Sequence, residues 1–277
     1  MFKNLTLLTL ICSLFLFACG DAGQSTAEQS DNMGQFADDK EFKDAHEKPT
    51  ATTVAGKGEI IEFATPDGQK ATAYTITPEE PSNKYLMVIH EWYGLNDHIK
   101  NEAQRLFDSL ENVNVMALDI YDGKVADNPD DAGKYMQAIK EERAQAIVDG
   151  AITHAGEDAE IGTIGWCFGG GWSLKTSIAA GDKAKACVIY YGMPVQTADK
   201  LVPLEAPIVF IHPTKDKWIN EEVVSNFKKL TDATGKEMEV YTFEADHAFA
   251  NPSSPRYQAE AAQEANEIAL EFLSENL

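Results

Sequence analysis

Three side chains of the kinds used in nucleophilic catalysis occur in this chain in the order cysteine, aspartate, histidine. Cys167 lies between two glycines, each two positions away, while Asp216 and His247 each follow an apolar segment of strand-like composition. In acyl transfer a thiol attacks the carbonyl carbon, a histidine carries the proton, and a carboxylate orients the imidazole. The three residues therefore predict a triad with Cys167 as nucleophile, His247 as the proton carrier and Asp216 as the orienting acid.

The segment around the cysteine reads Gly165-Trp-Cys-Phe-Gly169 and stands between a predicted strand and a predicted helix. A nucleophile with glycines two residues before and after it, at such a junction, is typical of a nucleophile elbow. The glycines let the strand and the helix approach, and the helix N-terminus favours thiolate over thiol. A glycine-rich turn that contains a buried cysteine is the alternative interpretation.

The elements that must position these side chains alternate between strand and helix. Residues 59–64 and 70–77 flank the turn Thr65-Pro-Asp-Gly68 and predict an antiparallel hairpin. The later predicted strands cover residues 84–90, 113–118, 160–165, 185–191, 206–212 and 237–243, and the predicted helices cover residues 97–110, 130–155, 169–180, 221–234 and 254–277, of which 130–155 is either continuous or broken near its middle. This alternation predicts an α/β fold with a mainly parallel sheet, covered by helices on both faces, and the hairpin at one edge. The triad then lies at the carboxyl ends of strands, where open α/β sheets place their sites.

The charge balance excludes one class of partner. The chain has 45 acidic and 23 basic residues, and a formal net charge of −22. Such a surface repels phosphate backbones, so we expect no nucleic-acid binding. The four cysteines lack the CxxC pairing of a metal module, and neither a disulfide scaffold nor a zinc module is predicted.

The first residues have the pattern of a targeting segment. The apolar run at residues 5–17 is short for a membrane span and typical of a signal peptide. It ends Leu16-Phe-Ala-Cys19, which resembles a bacterial lipoprotein signal. We predict a signal peptide at residues 1–18 and a lipidated Cys19 that anchors the protein in the cell envelope, in the outer membrane and facing the periplasm or the surface. An ordinary signal peptide cut near the same place is the alternative.

The rest of the chain divides into two parts. Residues 19–57 are rich in Asp, Glu, Gln, Ser, Thr and Gly, which predicts a disordered acidic tether with a solvated His46. Residues 58–277 are predicted to form a single domain. The lipid is the only membrane contact we expect, and a monomer is the expected state, although the sequence does not fix it.

The motifs of the folded part resemble the dienelactone hydrolase family, which includes the carboxymethylenebutenolidases, over about residues 59–277. These motifs are His90-Glu-Trp-Tyr-Gly-Leu-Asn96, Ala117-Leu-Asp-Ile-Tyr121-Asp-Gly-Lys, the Gly-Trp-Cys-Phe-Gly-Gly elbow, Tyr190-Tyr-Gly192, Asp246-His-Ala-Phe-Ala-Asn251-Pro and Pro255-Arg-Tyr257. The cysteine in the elbow is itself diagnostic, because most α/β-hydrolases carry serine there. The resemblance implies an α/β-hydrolase fold and hydrolysis of an enol-lactone ester bond through an acyl-enzyme, with no metal and no organic cofactor.

The resemblance also implies roles for residues beside the triad. Glu91 matches the glutamate that contacts the resting nucleophile and takes part in its activation; an ordinary loop carboxylate is the alternative. The backbone N–H groups of Trp92 and Phe168 match the oxyanion hole, which needs donors aimed at the tetrahedral oxygen. Tyr121 and Asn251 are candidates for contact with the substrate.

One position departs from the family pattern. The best-known members carry an arginine four residues after the triad histidine, where it helps to hold the substrate carboxylate, and this chain has Asn251 there. Arg143 is a candidate to lie near the site, or equally part of a solvated helix face. We therefore predict a small ester or lactone as substrate and leave dienelactone itself open. The alternative function is a catalytically inactive α/β-hydrolase that binds a ligand or partner at the envelope, against which the intact triad and Glu91 argue.

Overall fold

The computed structural model describes residues 30–277, so the predicted signal peptide and the predicted lipidation at Cys19 lie outside the described residues. The strands of the described part are β1 Glu59–Ala64, β2 Lys70–Ile76, β3 Lys84–Ile89, β4 Asn114–Leu118, β5 Glu160–Trp166, β6 Ala184–Tyr190, β7 Ile208–Pro213 and β8 Met238–Phe243. Its α-helices are α1 Lys40–Asp44, α2 Asp97–Ser109, α3 Pro129–Ala138, α4 Glu141–Ala155, α5 Phe168–Ala180, α6 Ala198–Leu201, α7 Glu221–Thr234 and α8 Ala259–Asn276. Short 3₁₀ turns cover Met33–Phe36 and Gly181–Lys183.

The eight strands form one sheet in the order β1-β2-β4-β3-β5-β6-β7-β8. β2 pairs antiparallel with β1 and with β4, whereas every pair from β4 to β8 is parallel. Every residue of β4 is buried, as is nearly every residue of β5, β6 and β7. Strands covered on both faces read as continuous apolar runs, which is why the sequence predicts them. The predicted parallel sheet with a hairpin at one edge is confirmed.

Two predicted helices differ in detail from the structure. The segment 130–155 breaks into α3 and α4, because Ile139 and Lys140 both adopt extended backbone conformations. The last helix begins at Ala259 rather than at residue 254. The residues before it form turns, in which the Ser254 N–H donates to the Asn251 carbonyl and the Gln258 N–H to the Phe249 carbonyl.

The predicted disordered tether is wrong for residues 30–57. Residues 31–49, here called the N-terminal strap, fold onto the domain through the Met33–Phe36 turn and α1, which Asn32 and Asp39 cap at their N-termini. Phe42 has 0% exposure, and Met33 has 1%. A composition argument asks whether a segment can fold by itself, whereas the strap uses a few apolar side chains to dock on an existing surface.

The segment between the strap and β1 also forms hydrogen bonds with the domain. The backbone N–H groups of Ala55 and Lys57 donate to Asn101 Oδ1 at 2.9 Å and to Gln104 Oε1 at 3.0 Å, both on α2. The ordered part of the chain therefore starts well before the predicted boundary at residue 58.

None of the helices found in residues 30–277 combines the length and the apolar character needed to cross a membrane.

Candidate active site

Cys167 stands at the sharp turn between β5 and α5. Its backbone has φ 54° and ψ −116°, a conformation that is strained for any residue with a side chain. A Cβ on Gly165 would overlap the carbonyl oxygen of Gly169, and a Cβ on Gly169 would overlap that of Ile89. Only glycine at these two positions lets β5, the start of α5 and the end of β3 meet, which is the geometry that the elbow motif predicts.

His247 and Asp216 are joined by a hydrogen bond of 2.5 Å between Nδ1 and Oδ2. The other carboxylate oxygen of Asp216 accepts the backbone N–H groups of Trp218 at 2.9 Å and Ile219 at 3.0 Å, which fixes the carboxylate. One ring nitrogen of His247 lies within 4.8 Å of Cys167 Sγ, and Nε2 is the one that Asp216 leaves available. The structure thus brings together the three residues that the sequence predicts as a triad.

Burial and neighbouring charges shift the pKa values of His247 and Cys167 in opposite directions. Burial lowers the pKa of His247, but the charges of Asp216 and Cys167 outweigh it and raise that pKa to about 10. Burial raises the pKa of the Cys167 thiol by more than the neighbouring His247 lowers it. The helix N-terminus does favour the thiolate, since the Phe168 N–H lowers the pKa of the thiol, but burial has the larger and opposite effect in the resting site. Cys167 is only 1% exposed, and the lost hydration of a thiolate outweighs the helix dipole.

Glu91 follows the end of β3 and faces the same centre. Burial raises the pKa of Glu91 to about 7, although the charge of His247 and the hydrogen bonds from Asn251 and Tyr191 lower it. Asn251 Nδ2 donates to Glu91 Oε2, and Tyr191 Oη lies 3.5 Å from Oε1. The charge of Glu91 is also felt by the thiol of Cys167, so the carboxyl is placed to exchange a proton near neutral pH.

The two residues predicted to form an oxyanion hole lie on segments that touch. Trp92 follows Glu91, and Phe168 is the first residue of α5; each is 1% exposed. The end of β3 contacts the first turn of α5 at Gly169. The Phe168 N–H also donates toward the sulfur of Cys167 and lowers the pKa of the thiol. This placement fits the predicted donors, whose catalytic role remains a prediction.

Asn251 and Tyr121 lie in different surroundings. Asn251 lines a cavity of about 310 Å³, here called the Glu91 cavity, whose other lining residues include Glu91, Tyr93, Arg105 and Trp166. The ring of Tyr121 packs instead beneath the elbow, with its centroid 4.6 Å from that of His90. Within the described residues its hydroxyl has no hydrogen-bond partner. Asn251 is therefore placed to contact a substrate, whereas Tyr121 is placed to support the elbow.

Arg143 does not reach the nucleophile. Its guanidinium binds Asp122 at 2.6 and 2.9 Å and Asp67 at 3.0 Å, and so ties the hairpin turn to the loop after β4. It is neither a substrate clamp beside Cys167 nor part of a solvated helix face, because its side chain is only 12% exposed. The cation that lines the Glu91 cavity is Arg105, which already holds Glu102 at 2.6 and 2.9 Å.

His46 is the residue of the site that the sequence analysis missed. The strap places its ring over the triad, with centroids 5.3 Å from His247 and 4.8 Å from Trp92. Its Nδ1 lies 2.7 Å from the carbonyl oxygen of Phe42, and burial lowers the pKa of His46 to about 3, so the imidazole is neutral. A signal was available, because Asp39-Lys-Glu-Phe42 is an N-cap followed by an apolar residue at helical spacing.

The strap also closes the site. Phe42 packs edge-on against Trp92 and Trp218, and the Tyr93 hydroxyl donates to the His46 carbonyl at 2.8 Å. Cys167 is 1% exposed, and a nitrogen of His46 lies within 4.8 Å of its sulfur. The strap therefore forms part of the cover of the nucleophile, and its movement would open access to the sulfur.

The sheet order, the strand-turn-helix elbow and the placement of nucleophile, acid and histidine define an α/β-hydrolase. A solved dienelactone hydrolase from Anabaena variabilis superposes on this fold with a TM-score of 0.60 at 12% identity, over 80% of this chain and 98% of that one. The dienelactone hydrolase family matches residues 71–277, and the chain belongs to this family.

Two relatives agree with this membership. Protein usf of Aquifex pyrophilus is 32% identical over 234 residues, which cover 79% of this chain and 99% of the relative. The carboxymethylenebutenolidase of Pseudomonas putida is 27% identical over 233 residues, which cover 78% of this chain and 96% of the relative. The family membership supports hydrolysis of carboxylic esters or lactones as the activity of this chain.

Proposed function

We propose that this protein hydrolyses small carboxylic esters or lactones through an acyl-enzyme formed on Cys167. The observation that carries the proposal is the 2.5 Å bond between His247 and Asp216, with Cys167 Sγ within 4.8 Å of the same imidazole at a strained elbow. A binding module has no need for this arrangement, and the inactive alternative is not favoured.

Activation of the thiol is assigned to Glu91. The resting sulfur is protonated and His247 is held in its cationic form by Asp216, so a second base has to accept the thiol proton. Glu91 has a pKa of about 7 in the same buried centre and suits that task. The Cys167 proton passes to Glu91, and the thiolate attacks the carbonyl carbon.

The remaining steps use the triad. The N–H groups of Trp92 and Phe168 stabilise the oxyanion, and the His247 imidazolium gives its proton to the leaving alkoxide as the C–O bond breaks. A water then attacks the thioester and passes a proton to His247. Collapse releases the carboxylic acid and the thiolate, which recovers its proton from Glu91.

The Glu91 cavity is the proposed place for the substrate. Its volume of about 310 Å³ suits a small molecule, and its wall combines the rings of Tyr93 and Trp166 with the polar groups of Glu91 and Asn251. Among the described residues that line it, the guanidinium of Arg105 is paired with Glu102, which weakens its attraction for a substrate carboxylate. A neutral ester or lactone fits this wall better than a dianionic one.

The test is hydrolysis of p-nitrophenyl acetate and a panel of enol-lactones by the whole chain under reducing conditions. Cys167→Ala is expected to lower kcat/KM at least about 1000-fold, as loss of a triad nucleophile does. Cys187→Ala is the matched control, because Cys187 is also buried but lies on β6 beside Ser173. Equal activity in the wild type and in Cys167→Ala would refute the acyl-enzyme.

A further inference from the structure

The strap and the triad together place three donor atoms around one point. A nitrogen of His46, a nitrogen of His247 and Sγ of Cys167 all lie within 4.8 Å of one another. Within the described residues, Nε2 of His46 and Nε2 of His247 are buried and have no hydrogen-bond partner. Nε2 of His247 faces the triad thiol, but a second unsatisfied ring nitrogen beside that pair, Nε2 of His46, is unusual in a protein interior, where buried polar atoms are normally paired.

The outer partners of the two histidines fix which nitrogen is free. Nδ1 of His46 contacts the Phe42 carbonyl at 2.7 Å, and Nδ1 of His247 contacts the Asp216 carboxylate at 2.5 Å. Each Nδ1 faces one of these acceptors, so Nε2 is the atom left for a metal on each ring; on the cationic His247 it becomes a ligand once metal binding displaces its proton. A histidine whose other nitrogen donates to a carboxylate or a carbonyl is the usual arrangement around protein-bound zinc.

We propose that Cys167, His247 and His46 form a binding site for a zinc ion, which would hold the strap closed and block the nucleophile. Zinc accepts one thiolate and two imidazoles readily, with bonds of about 2.3 Å to sulfur and about 2.0–2.1 Å to nitrogen. Tetrahedral geometry then places the donors roughly 3.3–3.6 Å apart. The present donors need to close by about 1 Å.

Charge and space also suit the ion. The thiolate of Cys167 and the carboxylate of Asp216 together balance its two positive charges. Binding breaks the S–H bond of Cys167 and the Nε2–H bond of the His247 imidazolium, forms one Zn–S bond and two Zn–N bonds, and releases two protons to the solvent. Beside one of the ligands, His46, a cavity of about 20 Å³ has room for one water, although Cys167 and His247 do not line it.

Binding itself does not depend on the proposed hydrolysis, whereas its inhibitory effect rests on that function. A protein that binds zinc and hydrolyses nothing keeps the site and refutes the function. A protein that hydrolyses esters and binds no zinc supports the proposed function and refutes the zinc site.

The experiment measures zinc binding by the whole, reduced, metal-free chain in competition with a chromophoric chelator. We expect one Zn²⁺ per chain in the wild type. His46→Gln is expected to weaken the affinity about 100-fold or more, since even loss of an outer partner costs 10–100-fold. His154→Gln removes an exposed histidine on α4 and serves as the matched control, with unchanged affinity.

Cobalt provides a second readout that does not depend on the folding of a histidine variant. Co²⁺ added to the wild type is expected to give a sulfur-to-cobalt charge-transfer band, and Cys167→Ser is expected to lose it. A wild type without this band, or equal zinc affinity in the wild type and a folded His46→Gln, would overturn the proposal. Circular dichroism shows whether each variant is folded.

Discussion

Removal of the Phe42 side chain is expected to uncover the nucleophile without unfolding the domain. Phe42 has 0% exposure and packs against Trp92, Trp218 and His247, so it joins the strap to the site. Truncation of a buried phenylalanine to alanine costs about 3–5 kcal/mol. The strap has few other apolar anchors, and most of this loss falls on the equilibrium between closed and open strap.

The expected increase in the labelling rate of Cys167 follows from this loss of free energy. A loss of about 3 kcal/mol raises the population of the open strap roughly 100-fold, at 1.36 kcal/mol for each factor of ten. When opening is faster than chemical modification, the rate at which a thiol reagent labels a covered cysteine is proportional to the open population. We therefore expect Phe42→Ala to label Cys167 about 100-fold faster than the wild type under native conditions.

Two controls separate strap opening from global unfolding. Cys187 lies on β6, is fully buried and becomes accessible only when the sheet opens, so its labelling reports global unfolding in the same sample. Phe227→Ala removes a ring of equal size that packs against Phe210, away from the strap. Peptide mass spectrometry assigns the label to each cysteine. If Phe42→Ala leaves the ratio of Cys167 to Cys187 labelling unchanged, the strap is not the cover of the nucleophile.

Three further perturbations test the site. Asp216→Asn is expected to lower kcat roughly 10⁴-fold with little change in KM, because the carboxylate that orients His247 and stabilises its cationic form is lost; steady-state kinetics measure this. Gly165→Ala is expected to destabilise the fold by about 3 kcal/mol or more, because its Cβ would overlap the backbone of Gly169; urea denaturation checks it against Gly68→Ala, which meets no atom and carries only the backbone strain of φ 80°, about 1–2 kcal/mol. Glu91 has its pKa raised from 4.5 to about 7, so its cost to stability is absent at acid pH and grows as the pH rises from about 4.5 to about 7. Glu91→Gln is therefore expected to be more stable than the wild type at pH 8 by about 3 kcal/mol and to differ little at pH 4, and equal melting temperatures at pH 8 would contradict this.

The elbow and the triad order could be predicted because local sequence determines them. Gly165 and Gly169 have to be glycine for the backbones to meet, and the sequence around Cys167 records this need directly. In the same way, the continuous apolar segments predict the parallel sheet, and the turn Thr65-Pro-Asp-Gly68 predicts its hairpin. Asp216 and His247 follow β7 and β8, which are parallel neighbours, so the carboxyl ends of these strands bring the two residues together.

The features that the sequence analysis missed depend on tertiary contact. Phe42 and His46 stand in a polar, acidic segment, and only the groove formed by Trp92 and Trp218 makes them a docking element. The protonation state of Cys167 likewise depends on the tertiary structure. A helix N-terminus is visible in the sequence and favours thiolate, whereas the burial that reverses this effect arises only in the folded site.

These observations link the resting state of the site to its activation. The strap that covers Cys167 also removes the hydration that a thiolate needs, so the closed site holds a protonated sulfur. Displacement of the strap by a substrate would both open the way to the sulfur and relieve the burial that raises the pKa of the Cys167 thiol. Access and deprotonation are then two results of one movement, and a thiol that is covered and protonated at rest is protected from oxidation, since oxidation requires an exposed thiolate.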